Sequence, residues 1–151
     1  ALQIPDCAVG VDVLVGFPGE TDIAFCQTYD LIESLPVTYL HVFPFSPRPG
    51  TPAAGFSGRV APDVLKQRCA RMRRLGREKR RVFYQRFLGQ QVEVLVEGTR
   101  DRAIGCLKGV SDNYLNITFD GPDKLMNRLV WVWVERLEAS GNLLGSVAQT
   151  S

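Results

Sequence analysis

Residues 39–54 read YLHVFPFSPRPGTPAA. A short apolar run, Tyr39 to Phe43, breaks into four prolines, with Arg48 set between Pro47 and Pro49. Proline fixes φ, so a strand that ends here runs into a loop built to hold one shape, with a cation at its crest. Barrels and α/β sheets present their sites in this way, at the carboxyl ends of their strands.

Upstream, Val9 to Phe17 (VGVDVLVGF) is nearly continuous in apolar residues, which predicts a parallel strand covered on both faces. Pro18-Gly19-Glu20-Thr21 follows, and Thr21 suits the N-cap of a helix running to about Leu35, whose Phe25, Tyr29, Ile32 and Leu35 share one stripe. Pro36 ends that helix, and Val37 to Phe43 reads as the next strand. Residues 8–45 are therefore expected to form one right-handed β-α-β unit that brings loops 16–21 and 44–52 to the same sheet end. Two strands neither close a barrel nor complete a doubly wound sheet, and their unpaired edges invite aggregation. The chain is accordingly expected to be a piece of something longer.

With 151 residues, 45% of them apolar, one ordinary domain or two small ones can bury a real core. The chain begins at Ala1 without a basic n-region or a twenty-residue apolar span, so neither secretion nor membrane insertion is expected, and a cytoplasmic protein is. Cys7, Cys26, Cys69 and Cys106 never fall into a C-x-x-C or C-x-x-x-C spacing, so reduced thiols rather than a metal centre are expected. His41 is the only histidine, which excludes a two-histidine metal site and leaves no partners for a nucleophile triad. Asp12 and Glu20 flank the end of the first strand, either to bind a polar cofactor group or to cap turns. The Pro-x-x-Pro spacings from Pro44 to Pro52 lie between folded elements, which does not suit an external proline-recognition module.

The net charge of +2 hides a strong partition. Residues 1–61 carry two basic side chains against six acids, residues 62–87 ten against two, and residues 88–151 six against eight. The basic block reads as a long helix over about 62–87, because Pro62 and Asp63 suit a first turn and Leu65, Cys69, Met72 and Leu75 recur at helical spacing. Val82, Phe83 and Phe87 continue its apolar side, and Gly89 supplies a stop. Basic residues on the other faces, Arg73, Arg74, Arg77, Arg80 and Arg81 among them, repel one another at i,i+3 and i,i+4. That predicts an external anion, with nucleic-acid phosphate preferred over a merely solvated face.

After Gly89 the texture changes to five short β-rich runs: Gln91 to Glu97, Arg102 to Val110, Tyr114 to Phe119, Leu129 to Leu137 and Leu143 to Val147. Turn chemistry separates them at Asp112-Asn113, Asp120 to Asp123 and Ser140 to Asn142. About sixty residues with five strands predict a small closed barrel of the oligonucleotide-binding type. Trp131 and Trp133 alternate with Val130, Val132 and Val134, so if the valines fill the core the tryptophans point outward, either to stack on bases or to seal an interface.

The strings VDVLVGFPGET (11–21) and YLHVFPFSPRPGTPA (39–53) resemble the carboxyl-terminal part of the radical S-adenosylmethionine core of the methylthiotransferases that modify tRNA. VFYQRFLGQQVEVLVEG (82–98), SDNYLNITFDGP (111–122) and GNLLGSV (141–147) resemble the strands of their appended RNA-binding TRAM domain. The resemblance implies an α/β plus all-β chain: residues 1–84 as the carboxyl-terminal part of a radical-SAM partial β/α barrel, with the basic connector helix, and residues 85–149 as a five-stranded OB-like TRAM barrel. Leu40-His41-Val42-Phe43 and Asp112-Asn113-Tyr114-Leu115 point to the branch acting on threonylcarbamoyladenosine beside the anticodon.

Such enzymes use S-adenosylmethionine and two 4Fe-4S clusters. One cluster cleaves S-adenosylmethionine to a deoxyadenosyl radical, the other supplies sulfur, and a methylthio group is placed on an adenine carbon. The family's cluster cysteines would lie in a missing amino-terminal part of the same chain. The fragment is expected to hold no metal ligand and no catalytic residue, and to be inactive alone. By the resemblance Leu14, Val15, Gly16, Phe43, Pro44 and Phe45 would border the cofactor's adenine. Arg48 would meet a tRNA phosphate or the threonylcarbamoyl carboxylate, or else pin its own loop. Arg73, Arg74, Arg77, Arg80 and Arg81 would attract the phosphates of a tRNA anticodon stem-loop while the barrel supplies shape and local contacts. A monomer with no membrane partner is expected. The isopentenyladenosine branch, a ribosomal-protein methylthiotransferase, a non-enzymatic RNA-binding protein and a basic module for an acidic protein partner remain open as alternatives.

Overall fold

The computed structural model describes Ile4 and residues 6–148, which divide into two compact units: residues 8–80, and residues 81–148 together with Ile4, Asp6 and Cys7. The last residue of the expected barrel domain, residue 149, lies outside the described residues.

The first unit contains β1 (Gly10–Val15), α1 (Asp22–Ser34), β2 (Tyr39–Pro44), a 3-10 turn at Pro52–Gly55 and the larger part of α2 (Pro62–Gln85). β1 and β2 pair in parallel, from Gly10 beside Tyr39 to Val15 beside Pro44. Thr21 caps α1, its Oγ1 accepting the N–H of Ala24 at 3.2 Å. Phe25, Tyr29 and Ile32 of α1 and Cys69, Met72 and Leu75 of α2 pack with Val13 and Val15 in one core, so both helices cover the same face of the sheet. Leu35, expected on the α1 stripe, is instead the extended residue after the last turn and is largely exposed. α2 comes close to β2 at Gly76, where a Cβ would stand 3.2 Å from that of Leu40.

The continuous apolar run of β1 predicted cover on both faces; the described residues cover one of them. Side chains alternate across a strand, and the second face of this sheet carries Asp12 and Leu14 beside His41 and Phe43. All four are exposed, Leu14 and Phe43 to 51% each.

The second unit is a closed barrel of β3 (Gln91–Val96), β4 (Leu107–Ser111), β5 (Asn116–Asp120), β6 (Leu129–Leu137) and β7 (Leu143–Val147), in the order β3-β4-β5-β7-β6. β5 and β7 run parallel, every other pair is antiparallel, and β3 with β6 closes the ring. The expected five strands are all present, and a TRAM-like barrel is consistent with this arrangement. Val94, Val96, Leu107, Ile117, Phe119, Val132, Val134 and Leu143 fill the interior, each no more than 1% exposed. Trp131 and Trp133 point outward, 50% and 44% exposed.

Two strands begin later than their composition suggests. The Asp101 carboxylate accepts the N–H groups of Ala103 and Ile104 at 2.8 and 3.2 Å, which winds 101–105 into a turn, so β4 starts only at Leu107. Those two bonds also hold the Asp101 carboxyl below its usual pKa. Tyr114 adopts φ 63° in the β4–β5 turn, and β5 starts at Asn116. The end of α2 differs as well: Val82, expected on its apolar side, is 64% exposed, while Tyr84 is buried. The Tyr84 hydroxyl donates to the Tyr114 carbonyl at 3.1 Å and accepts from the Asn116 backbone N–H at 3.1 Å and the Asn116 side-chain amide at 2.9 Å. No helix among the described residues is long and apolar enough to cross a membrane.

Barrel closure depends on a glycine. β6 is irregular between Val134 and Arg136 where it pairs with β7, and a Cβ at Gly145 would collide with the Trp133 carbonyl oxygen and stand 2.7 Å from Val132 Cγ1. Gly145→Ala is expected to destabilise the barrel by about 1–3 kcal/mol, the usual cost of overpacking, as read from the urea midpoint of unfolding.

Candidate functional site

The end of β1 is held by a buried ion cluster. Gly16, at φ 81°, turns the chain out of the strand, and its N–H donates to Glu20 Oε2 at 3.1 Å. Arg68 of α2 donates to the same carboxylate oxygen at 2.6 Å, to the Glu20 carbonyl at 3.0 Å and to Asp22 Oδ1 at 2.6 Å. Glu20 and Arg68 have side chains only 13% and 8% exposed, whereas Asp22 is open to solvent. The hydrogen bond to Asp22, ahead of the burial that opposes it, raises the Arg68 pKa further above its already high value, with Glu20 adding to the effect. Among the described residues Arg68 Nε has no hydrogen-bond partner, and the guanidinium lies 5.4 Å from the Phe25 ring centroid. Of the two roles left open for Glu20, the structure assigns the turn-capping one. Arg68 itself was not separable from its basic neighbours by sequence, although its position between Leu65 and Met72 on the apolar side of α2 is a readable signal.

The two expected loops do converge. The Phe45 N–H donates to the Val15 carbonyl at 2.7 Å, and the Phe17 and Phe45 rings meet edge to face at 5.3 Å. Leu14, Phe43 and Pro44 are exposed and Phe45 is half-buried. Val15 and Gly16 are both buried, with the Val15 carbonyl and the Gly16 N–H engaged, and a Cβ on Gly16 would collide with Leu65 Cδ1.

Arg48 stands exposed at the crest of the proline loop. The loop is pinned by Thr51, whose N–H and hydroxyl both donate to the Arg48 carbonyl, at 3.2 and 2.8 Å. Among the described residues none accepts a hydrogen bond from the Arg48 guanidinium, so the loop keeps its shape without that side chain.

The cations of α2 have several partners within the chain, which corrects the expectation that their repulsion is left for an external anion. Beyond Arg68, the Arg71 guanidinium lies 4.2 Å from the Tyr29 ring centroid and Arg73 donates to the Val42 carbonyl at 3.3 Å. Lys79 Nζ donates to the carbonyls of Glu33 and Leu35, both at 2.8 Å, where the last turn of α1 concentrates negative partial charge. Burial lowers the Lys79 pKa, against the pull of Glu33. Arg74 pairs loosely with Glu78 at 3.8 Å and, just past the helix, Arg86 pairs with Asp6 at 2.8 Å. Arg80 is half-buried; Arg73, Arg74, Arg77 and Arg81 remain exposed.

On the barrel, a groove of about 560 Å³ runs beside Phe87, Leu95, Leu129 and Trp131, with Asp6, Glu93 and Asp112 at its margins. Among the described residues no lysine or arginine lines it. The groove is therefore a poor seat for phosphate, in keeping with the barrel's acidic balance. No three His, Cys, Asp or Glu side chains among the described residues are grouped to hold a metal ion, and Cys69 is buried with its thiol pKa raised first by burial.

No family model matches the chain. It is 37% identical over 131 residues, 87% of its length, to the tRNA-2-methylthio-N(6)-dimethylallyladenosine synthase of Pelotomaculum thermopropionicum. The enzyme of the same name from Syntrophotalea carbinolica is 40% identical over 83% of the chain. The threonylcarbamoyladenosine tRNA methylthiotransferase of Bacillus subtilis is 33% identical over 85%. In each case the chain spans 29% of the relative's length. Its homologues over this length are thus tRNA methylthiotransferases of two kinds.

Removing Arg68 would strand the Glu20 carboxylate in a mostly dry site. Arg68→Met is expected to cost about 3 kcal/mol of stability, with Asp22→Asn costing under about 1 kcal/mol because that carboxylate is open to water, both measured by urea unfolding.

Proposed function

We propose that this chain is part of a tRNA methylthiotransferase that acts on threonylcarbamoyladenosine next to the anticodon. The observation that carries the enzyme class is the 33–40% identity, over more than four fifths of the chain, to enzymes named for this chemistry. Relatives of both kinds match at similar identity, so the choice of branch rests on Leu40-His41-Val42-Phe43 and Asp112-Asn113-Tyr114-Leu115.

The open face of the β1–β2 sheet suits the adenine of S-adenosylmethionine. Leu14 and Phe43 stand beside each other there as exposed apolar surface, next to the Gly16 turn. The nucleoside part of the cofactor would rest on this pair and on Pro44 and Phe45, and the bound cofactor would supply the radical that activates the base. The cluster at Glu20 and Arg68 keeps the turn rigid, so the apolar surface is presented without reorganisation. Iron-sulfur clusters do not fit the residues present, since the four cysteines are scattered and no ligand group is assembled among the described residues; their ligands belong to other parts of the complete enzyme.

Arg48 is the substrate contact in this reading, a planar donor fork for a tRNA phosphate or for the threonylcarbamoyl carboxylate. Arg74, Arg77 and Arg81 attract the phosphates of the anticodon stem-loop, and the TRAM-like barrel adds contacts of shape. Mass analysis of tRNA nucleosides from cells with and without the complete protein tests the assignment: methylthiolated threonylcarbamoyladenosine is expected to disappear, and loss of methylthiolated dimethylallyladenosine instead would transfer it to the other branch. Arg48→Ala in the complete enzyme is expected to lower modification at least tenfold with iron content unchanged. Charge reversal at Arg74, Arg77 and Arg81 together is expected to weaken tRNA binding and reduce the steepness of its salt dependence by about two to three, close to one for each phosphate no longer neutralised.

A further inference from the structure

Three phenylalanines from three separate segments meet at the loop end of the β1–β2 sheet. The Phe17 ring lies 5.3 Å from that of Phe45 at 75° and 6.0 Å from that of Phe56 at 80°. Apolar rings in such a cluster are ordinarily covered, yet Phe17 is 41% and Phe56 48% exposed. The segments beneath them are tied by backbone bonds, Phe45 N–H to the Val15 carbonyl at 2.7 Å and Gly19 N–H to the Gly58 carbonyl at 2.8 Å. The rings are therefore displayed on fixed loops and lose little freedom when something settles on them.

The charges around the cluster select what that is. Residues 44–61 contain Arg48 and Arg59 and no acid. Glu20, the one carboxylate in the neighbouring loop 16–21, is consumed by Gly16 and Arg68. Arg59 leans on the Ala54 carbonyl at 3.0 Å, in the turn that leads into Phe56. Exposed aromatic rings on or beside a segment that carries two arginines and no acid match a flat π-system joined to phosphate. A cationic or purely apolar partner would leave the arginines unused.

We propose that the Phe56 ring forms a stacking face for one unpaired nucleobase of a single-stranded RNA loop, with Phe17, set at 80° to it, bordering the base edge and Arg48 meeting the adjoining phosphate. The proposal rests on the reading of the substrate as RNA given above, and adds to it a site that holds a base by its face.

The test uses the complete protein, a short RNA stem-loop, and a series of the same stem-loop in which each loop nucleotide in turn is replaced by an abasic one. Phe56→Ala is expected to weaken binding roughly tenfold, the scale of a lost base–aromatic stack, and Phe17→Ala by a smaller factor. Phe56→Leu, which keeps apolar bulk and removes the ring, is expected to lose as much, and Phe56→Trp to bind at least as well as the wild type. Abasic replacement at one loop position is expected to cost the wild type a similar factor and Phe56→Ala almost nothing further, since a stack is lost only once. The proposal is overturned if the abasic and alanine losses multiply at every position, or if the leucine variant binds normally. Failure of the wild-type protein to bind any stem-loop would instead reject the RNA-directed function itself. Circular dichroism of each variant identifies any loss that comes from unfolding.

Discussion

One carboxylate organises the first unit. Glu20 Oε2 takes the N–H of the residue that ends β1 and the guanidinium of a residue in the second turn of α2, while the neighbouring Asp22 engages the other guanidinium nitrogen from the first turn of α1. Strand end, first helix and second helix thus converge on a single buried charge pair. Such a pair contributes little net stability against an apolar replacement of the same shape, but it is strongly directional, and either partner left alone would be costly. Its effect here is registration: the strand can end in only one way, and the loop that leaves it starts from a fixed direction.

The same pair shows how a helix of high formal charge is integrated into a small core. α2 directs Arg68 inward to carboxylates, Arg71 onto an aromatic ring, Arg73 to a strand carbonyl and Lys79 onto the carbonyl end of α1. Each finds an electron-rich group native to the fold. What projects from the helix is a narrower row of arginines than the count of charges suggests, and the aliphatic stems of the inward-turned residues add packing of their own.

The architecture was largely legible because its signals are periodic. The alternation Val-Trp-Val-Trp-Val over residues 130–134 specified which face of β6 is interior, and the five β-rich runs became the five barrel strands. What stayed hidden depends on direction rather than on residue type. Composition alone does not distinguish Arg68, turned toward Glu20, from Arg74, turned to solvent; only Arg68's place between Leu65 and Met72 on the apolar side of α2 does. The apolar run of β1 resembles a strand covered twice, although the two helices cover only the Val13 and Val15 side. Short side-chain bonds also outweighed propensity locally, as when Asp101 folded back on its own backbone and removed five residues from the expected β4. At the site, the proline loop and its cation were readable, whereas the ring cluster of Phe17 and Phe56 was not, since those residues lie 39 positions apart in sequence.

The parallel pairing of β5 with β7 sets one non-local pair among the barrel's antiparallel ones. β3, β4 and β5 are neighbours in sequence and join as successive antiparallel pairs, so they can form as soon as they exist. The ring closes only when β6 reaches back to β3 and β7 lies down beside β5, a pairing reinforced by the Thr118 hydroxyl on the Leu143 carbonyl at 3.2 Å. Until then β5 presents an open ladder edge and the interior valines and Phe119 lack their opposite wall. Pairings between strands far apart in sequence close long loops and cost more chain entropy than the β3–β4 and β4–β5 pairs, so the barrel is without an open edge only once β7 is in place.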